Sequence, residues 1–134
     1  MIKQFTKGQA VHLIHSWDDL GTFSVTPAIV HSCGSKQMVL THAVSGQELG
    51  RHFRPVEIQS NHFHRVVAHH TQAQAEALAL ELAKNYQVHE IAVKNRSIEN
   101  SNARYGVSES ANYARAMRIV IAQIEATQAA VIFR

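Results

Sequence analysis

Residues 9–54, QAVHLIHSWDDLGTFSVTPAIVHSCGSKQMVLTHAVSGQELGRHFR, alternate apolar and polar side chains between three turn signals. Side chains alternate across a pleated strand, so this pattern predicts four short strands of an antiparallel meander. The first covers residues 9–15, with Val11 and Leu13 on one side and His12 and Ile14 on the other. Trp17-Asp18-Asp19-Leu20-Gly21 then reads as a hairpin loop closing on a glycine with positive φ.

The second strand spans residues 22–31 and contains Pro27, which cannot donate to a ladder and so predicts an edge position or a bulge. Cys33-Gly34-Ser35-Lys36 fits a type II′ turn with Gly34 at its first central position. A third strand over 37–43 follows, then the Ser45-Gly46 turn and a fourth strand over 49–54 stopped by Pro55. Val56-Glu57-Ile58 and residues 62–67 supply a fifth. The expectation is a small twisted sheet closing towards a barrel, similar in shape to SH3-like small barrels, although no motif is shared with them.

Beyond residue 68 the composition changes to helix formers. Thr71 with Gln74 makes a capping box, and Leu78, Leu82 and Tyr86, with Ala75 and Ala79 beside them, form one apolar stripe over residues 71–86. Residues 88–94 look like a possible extra strand. The Asn, Ser and Gly106 of 95–108 read as a loop, because such side chains compete for backbone hydrogen bonds. A second helix is expected over 109–127 with Ser108 as its N-cap, and Tyr113, Met117, Val120, Ile121 and Ile124 on one side. Ile119 falls on the polar side, and residues 130–133 are apolar enough for a last strand.

The chain thus reads as one α+β domain over 1–134, a β-rich part over 1–68 followed by a helical half over 69–134. Its 134 residues suffice for a core of its own, and no linker or charge block divides them. One cysteine, Cys33, cannot close an internal disulfide, and no apolar run resembles a signal peptide or membrane helix, so a cytoplasmic protein is expected. A formal charge of +3 permits a nucleic-acid partner without requiring one. The ten histidines would make the surface potential sensitive to mild acid.

Four features bear on function. His62, His64, His69 and His70 lie close enough in sequence to offer imidazoles to a metal, but no HExxH or cysteine pair accompanies them. His52-Phe53-Arg54-Pro55-Val56 is echoed by His62-Phe63-His64-Arg65-Val66, a basic and aromatic pattern suited to phosphate contact and base stacking. The plainer account puts Phe53 and Phe63 in the core with solvated neighbours. Ile119, Phe133 and Tyr105 are apolar residues left over for an interface, as in a homodimer closed by the helical half. Cys33 lies in a turn near His31 and His42, with no nucleophile, base and orienting group identifiable together.

No phosphate-cradling glycine loop occurs and no cofactor is implied. These features favour a non-enzymatic binding module that recognises nucleic acid or protein through Trp17, Arg51, His52, Arg54, His62, His64 and Arg65. An adaptor using an edge strand or helix face is the first alternative, and a His-based metal or small-molecule enzyme the second.

Overall fold

A computed structural model describes residues 5–49, 64–68 and 70–133. The chain builds strands β1 (Ala10–Ser16), β2 (Thr22–Cys33), β3 (Met38–His42) and β4 (His64–Val67). Helices α1 (Gln72–Tyr105) and α2 (Ala111–Ala126) follow, and β5 (Ala130–Phe133) ends the series. The α+β class is as expected.

The sheet is open, in the order β3-β2-β1-β4, with β5 also on β2. Barrel closure is therefore not met among the described strands. All pairings are antiparallel except that of β5, which runs parallel to Thr22–Val25 of β2, while β3 takes the Ala28–Cys33 half. The two short strands thus share one flank of the long one. Leu49 reaches back to Leu40 through a backbone bond of 2.9 Å, but the rest of the expected fourth strand and the start of the fifth lie outside the described residues.

This arrangement accounts for Pro27. Its carbonyl accepts from the Ala43 N–H, and in an extended strand the nitrogen of the same residue faces the same flank. There it meets the break between the β5 ladder, which ends at Val25, and the β3 ladder, which begins at Ala28. A central strand tolerates the proline because no ladder bond is required at that point. The register shift falls instead between Val30 and Ser32. Gly34 does not take the positive φ of a type II′ turn, and its N–H bonds to the Gln37 carbonyl at 2.8 Å.

Both sheet faces carry core residues, as the strand alternation requires. Val11, Leu13, Ala28, Val30, Met38, Leu40 and Val66 face one side with Phe5. Ile14, Phe23, Val25 and Val67 face the other, against Ala75, Ala79, Ala83 and Tyr86 of α1. The alanines are the fully buried residues, and Leu78 and Leu82 only flank them. Small side chains let the helix axis lie close over the sheet, so the contact stripe is centred one residue away from the leucines.

The largest departure is the length of α1. The capping box at Thr71 and Gln74 starts it as predicted, but the helix continues to residue 105, through the expected strand over 88–94 and loop over 95–108. Only its first half covers the sheet. Beyond Tyr86, Gln87, Ile91, Ile98 and Ser101 turn towards Ser110, Ala114, Met117, Ile121 and Ile124 of α2. Spacings of four and three along α2, and of four, seven and three along α1, are those of a paired antiparallel coil. Asn and Ser are tolerated because this pairing, not local propensity, decides the helix.

Candidate functional site

The junction between sheet and helices is built from the loop after β1. The Asp18 carboxylate accepts from the N–H groups of Leu20 at 2.9 Å and Thr22 at 3.1 Å, the loop-to-backbone use expected of Asp in a turn. Burial pushes this carboxyl up, but these donors, with the Gly21 N–H and the Thr22 hydroxyl, hold it below its ordinary 3.8. Asp19 and Gly21 both take positive φ, 60° and 127°. Two side chains of α1 clasp the loop. Tyr86 donates from its hydroxyl to the Asp19 carbonyl at 3.3 Å, and Gln87 donates from Nε2 to the Leu20 carbonyl at 3.0 Å and the Thr127 carbonyl at 2.6 Å. One amide therefore ties together the β1–β2 loop, α1 and the end of α2.

Burial first, then the charges of Glu90, Asp19 and Asp18, push the Tyr86 phenol up from 10.0 to about 12. The fold holds the neutral phenol, so its contribution is complete below pH 10 and is lost as pH rises through about 12. Urea unfolding of the parent chain is expected to weaken over this alkaline range more steeply than that of Tyr86→Phe. Parallel curves for the two proteins would refute the assignment.

Past this junction, the second half of α1 and all of α2 form a two-helix arm. Ile98, Ala114 and Ile121 fill its seam with Ile91 and Met117. At its tip Ser101 and Ser110 share a hydroxyl contact of 2.8 Å, and Ser110 also donates to the Ser101 carbonyl at 2.9 Å. Ser110, not Ser108, is the N-cap of α2, and its hydroxyl is spent across the seam and not on its own helix. Gly106 ends α1 at φ 89°, its N–H bonded to the Asn102 carbonyl.

The arm has two flanks. On one, Asn102, Val107, Ala111, Arg115, Arg118 and Ile119 line an open groove of about 450 Å³. Ile119 is 55% exposed and Val107 73%, whereas the Asn102 Oδ1 is buried without a hydrogen-bond partner. On the other, Tyr105 and Tyr113 border a second groove of about 480 Å³. Tyr113 bonds to Ser97, and the Arg104 guanidinium lies 5.3 Å from the Tyr105 ring centroid. A two-helix pair has too little seam to bury these apolar groups itself.

The residues favoured from sequence are placed as follows. Trp17, 49% exposed, opens the β1–β2 loop, and β4 sets His64 opposite His15 and Arg65 opposite Ile14. Trp17 thus shares one end of the sheet with the β4 residues His64 and Arg65. Arg51, His52, Arg54, His62 and His69 lie outside the described residues. Other histidines serve the fold. His42 Nδ1 accepts from the Val44 and Ser45 N–H groups, His70 Nδ1 lies 2.6 Å from the Ala68 carbonyl, and His12 Nε2 lies 3.1 Å from Gln72 Oε1. Among the described residues no three His, Cys, Asp or Glu side chains converge on a metal position. Cys33 is half-buried, its Sγ 3.7 Å from the Gly34 carbonyl.

Among the interface residues named from sequence, Tyr105 and Ile119 lie on the arm, whereas Phe133 lies apart beside Val131 and Leu80. Sequence reasoning missed Arg115, Arg118 and Tyr113 as groove residues, and the arm itself. The available signal was the spacing of four, seven and three between residues 87, 91, 98 and 101, obscured by their polar neighbours. Among the described residues no helix is long and apolar enough to cross a membrane. Comparison with protein-family models, curated proteins and solved structures finds no match to this chain.

Proposed function

We propose that this chain is a non-enzymatic binding module of the cytoplasm whose partner is a protein, taken on the helical arm. The supporting observation is that an arm standing off the sheet carries Ile119, Tyr105 and Val107 at 55%, 59% and 73% exposure, beside grooves on both flanks. Apolar groups gathered on an otherwise polar helix pair are the composition of a protein contact and not of a solvated surface. A photo-crosslinking amino acid placed at Ile119 in the full chain, in living cells, is expected to trap a protein. One placed at Lys36, in the exposed turn between β2 and β3, is expected to trap none. No protein adduct at position 119 overturns this function.

Nucleic acid is the second reading, supported by Trp17 sharing one sheet end with His64 and Arg65. A crosslinker at Trp17 that captures RNA or DNA, with affinity falling steeply as salt rises, would establish this partner instead.

A further inference from the structure

Resting on the reading of the arm as a protein-binding surface, we infer that its occupant is an acidic amphipathic helix of another protein, laid along α2 so that its carboxylates meet Arg115 and Arg118. Two faces of α2 share one rhythm. Ala114, Met117 and Ile121, spaced three and four, turn into the seam with α1. Ala111, Arg115, Arg118 and Ala122, spaced four, three and four, line the groove on a second face, and all of them are exposed. Ile119 stands beside them at 55% exposure. Such spacing is what one helix presents to another. From Ala111 to Ala122 the face runs roughly 16 Å at about 1.5 Å per residue, three turns of a partner helix. α1 fills the first face, and the second has no partner among the described residues.

The charges on this face are of one sign. A carboxylate three or four residues away on the same helix would offset an arginine, but those positions hold Ala111, Asn112, Arg118 and Ile119 around Arg115, and Ala114, Arg115, Ile121 and Ala122 around Arg118. The two guanidiniums therefore stand one turn apart as like charges, with no ion pair among the described residues, whereas Lys94 of α1 is paired with Glu90 at 2.7 Å. A second copy of this face turned on a two-fold axis would bring two more arginines. Carboxylates three or four residues apart on a partner helix match the pair, and each guanidinium offers a planar fork that a carboxylate fills bidentately. The small Ala111 and Ala122 let that helix come close, and Ile119 and Val107 receive its apolar side chains. The same lining disfavours nucleic acid, because it holds no aromatic ring for a base to stack on and two cations supply few phosphate contacts.

The test places the crosslinking amino acid at Ile119 of the full chain in living cells, once in the parent and once in R115E/R118E, and identifies the trapped segment by mass spectrometry of the digested adduct. The expected segment belongs to another protein and sets carboxylates three or four residues apart beside apolar residues. Its adduct should form roughly tenfold less from the charge-reversed chain. Synthesised as a fluorescein-labelled peptide, it should bind the parent with an affinity that falls as salt rises, and Arg115→Glu or Arg118→Glu should each raise the dissociation constant roughly tenfold or more. The same peptide with those carboxylates replaced by lysine should bind R115E/R118E within about threefold of the parent pairing. Both arginines are exposed, and unchanged helical circular dichroism confirms folding of each variant. Equal adducts from both chains, a trapped segment without acidic residues, a trapped second copy, or a peptide indifferent to charge reversal overturns the acidic partner and leaves the arm a protein-binding surface. If neither chain traps a protein, both readings fail.

Discussion

Gly21→Ala is expected to destabilise the fold by about 3 to 5 kcal/mol, combining backbone strain with two lost hydrogen bonds. Gly21 holds φ at 127°, a conformation in which a side chain is strained. It is also buried against Gln87, and an added Cβ would lie 2.2 Å from Nε2, 2.6 Å from Cδ and 2.7 Å from Cγ. The amide must leave, and the Leu20 and Thr127 carbonyls lose their donor. A double-mutant cycle separates the two causes. In a Gln87→Ala background the glycine substitution should cost only its strain, with a coupling of roughly 1 to 3 kcal/mol. Urea unfolding provides all four free energies. A cost below about 1 kcal/mol, or the same cost in both backgrounds, would show that the glutamine clasp does not hold the loop.

Phe23→Ala should cost about 3 to 5 kcal/mol, the range for emptying a large aromatic from a packed core. Phe23 is 1% exposed and sits between Ile14, Val25 and Val67 of the sheet and the alanine face of α1. Its ring meets Tyr86 edge-on, with centroids 5.7 Å apart and planes at 68°, a geometry worth roughly 0.5 to 1.5 kcal/mol beyond burial. Neighbouring alanines cannot swell to fill the space, so the cavity persists. Ile119→Ala offers the contrast, since a side chain 55% exposed should change stability by less than about 0.5 kcal/mol. Equal losses for the two variants would mean that the sheet-facing cluster is not the main core.

The β-rich part was legible because alternation and turn chemistry act over a few residues. β1, β2, β3 and the capping box at Thr71 need no distant partner to be recognised, and Ala130–Phe133 was apolar enough to be expected as a strand. What was not legible depended on partners far along the chain. Ile91 and Ile98 look isolated among Asn, Ser and charged residues until Ala114 and Ile121 are set opposite them. Pro27 suggested an edge because nothing local shows that two strands divide the flank of β2. The binding residues were chosen by charge and aromatic content, and most of that choice falls outside the described residues. Arg115 and Arg118 gave no local signal because the groove they line exists only where the end of α1 and α2 meet.

The pairing of β5 with Thr22–Val25 has a consequence for how the molecule is made. About a hundred residues separate the two partners, so the loop closed between them is among the longest in the domain. Long loops close slowly and only after shorter ones have reduced the search. The β1–β2 and β2–β3 hairpins can form while the ribosome is still translating α1, but the row beside Thr22–Val25 stays open until Ala130–Phe133 has emerged. A nascent chain therefore presents a strand edge next to Phe23 throughout synthesis of both helices. During that interval the half-built sheet is most exposed to pairing with a neighbouring polypeptide.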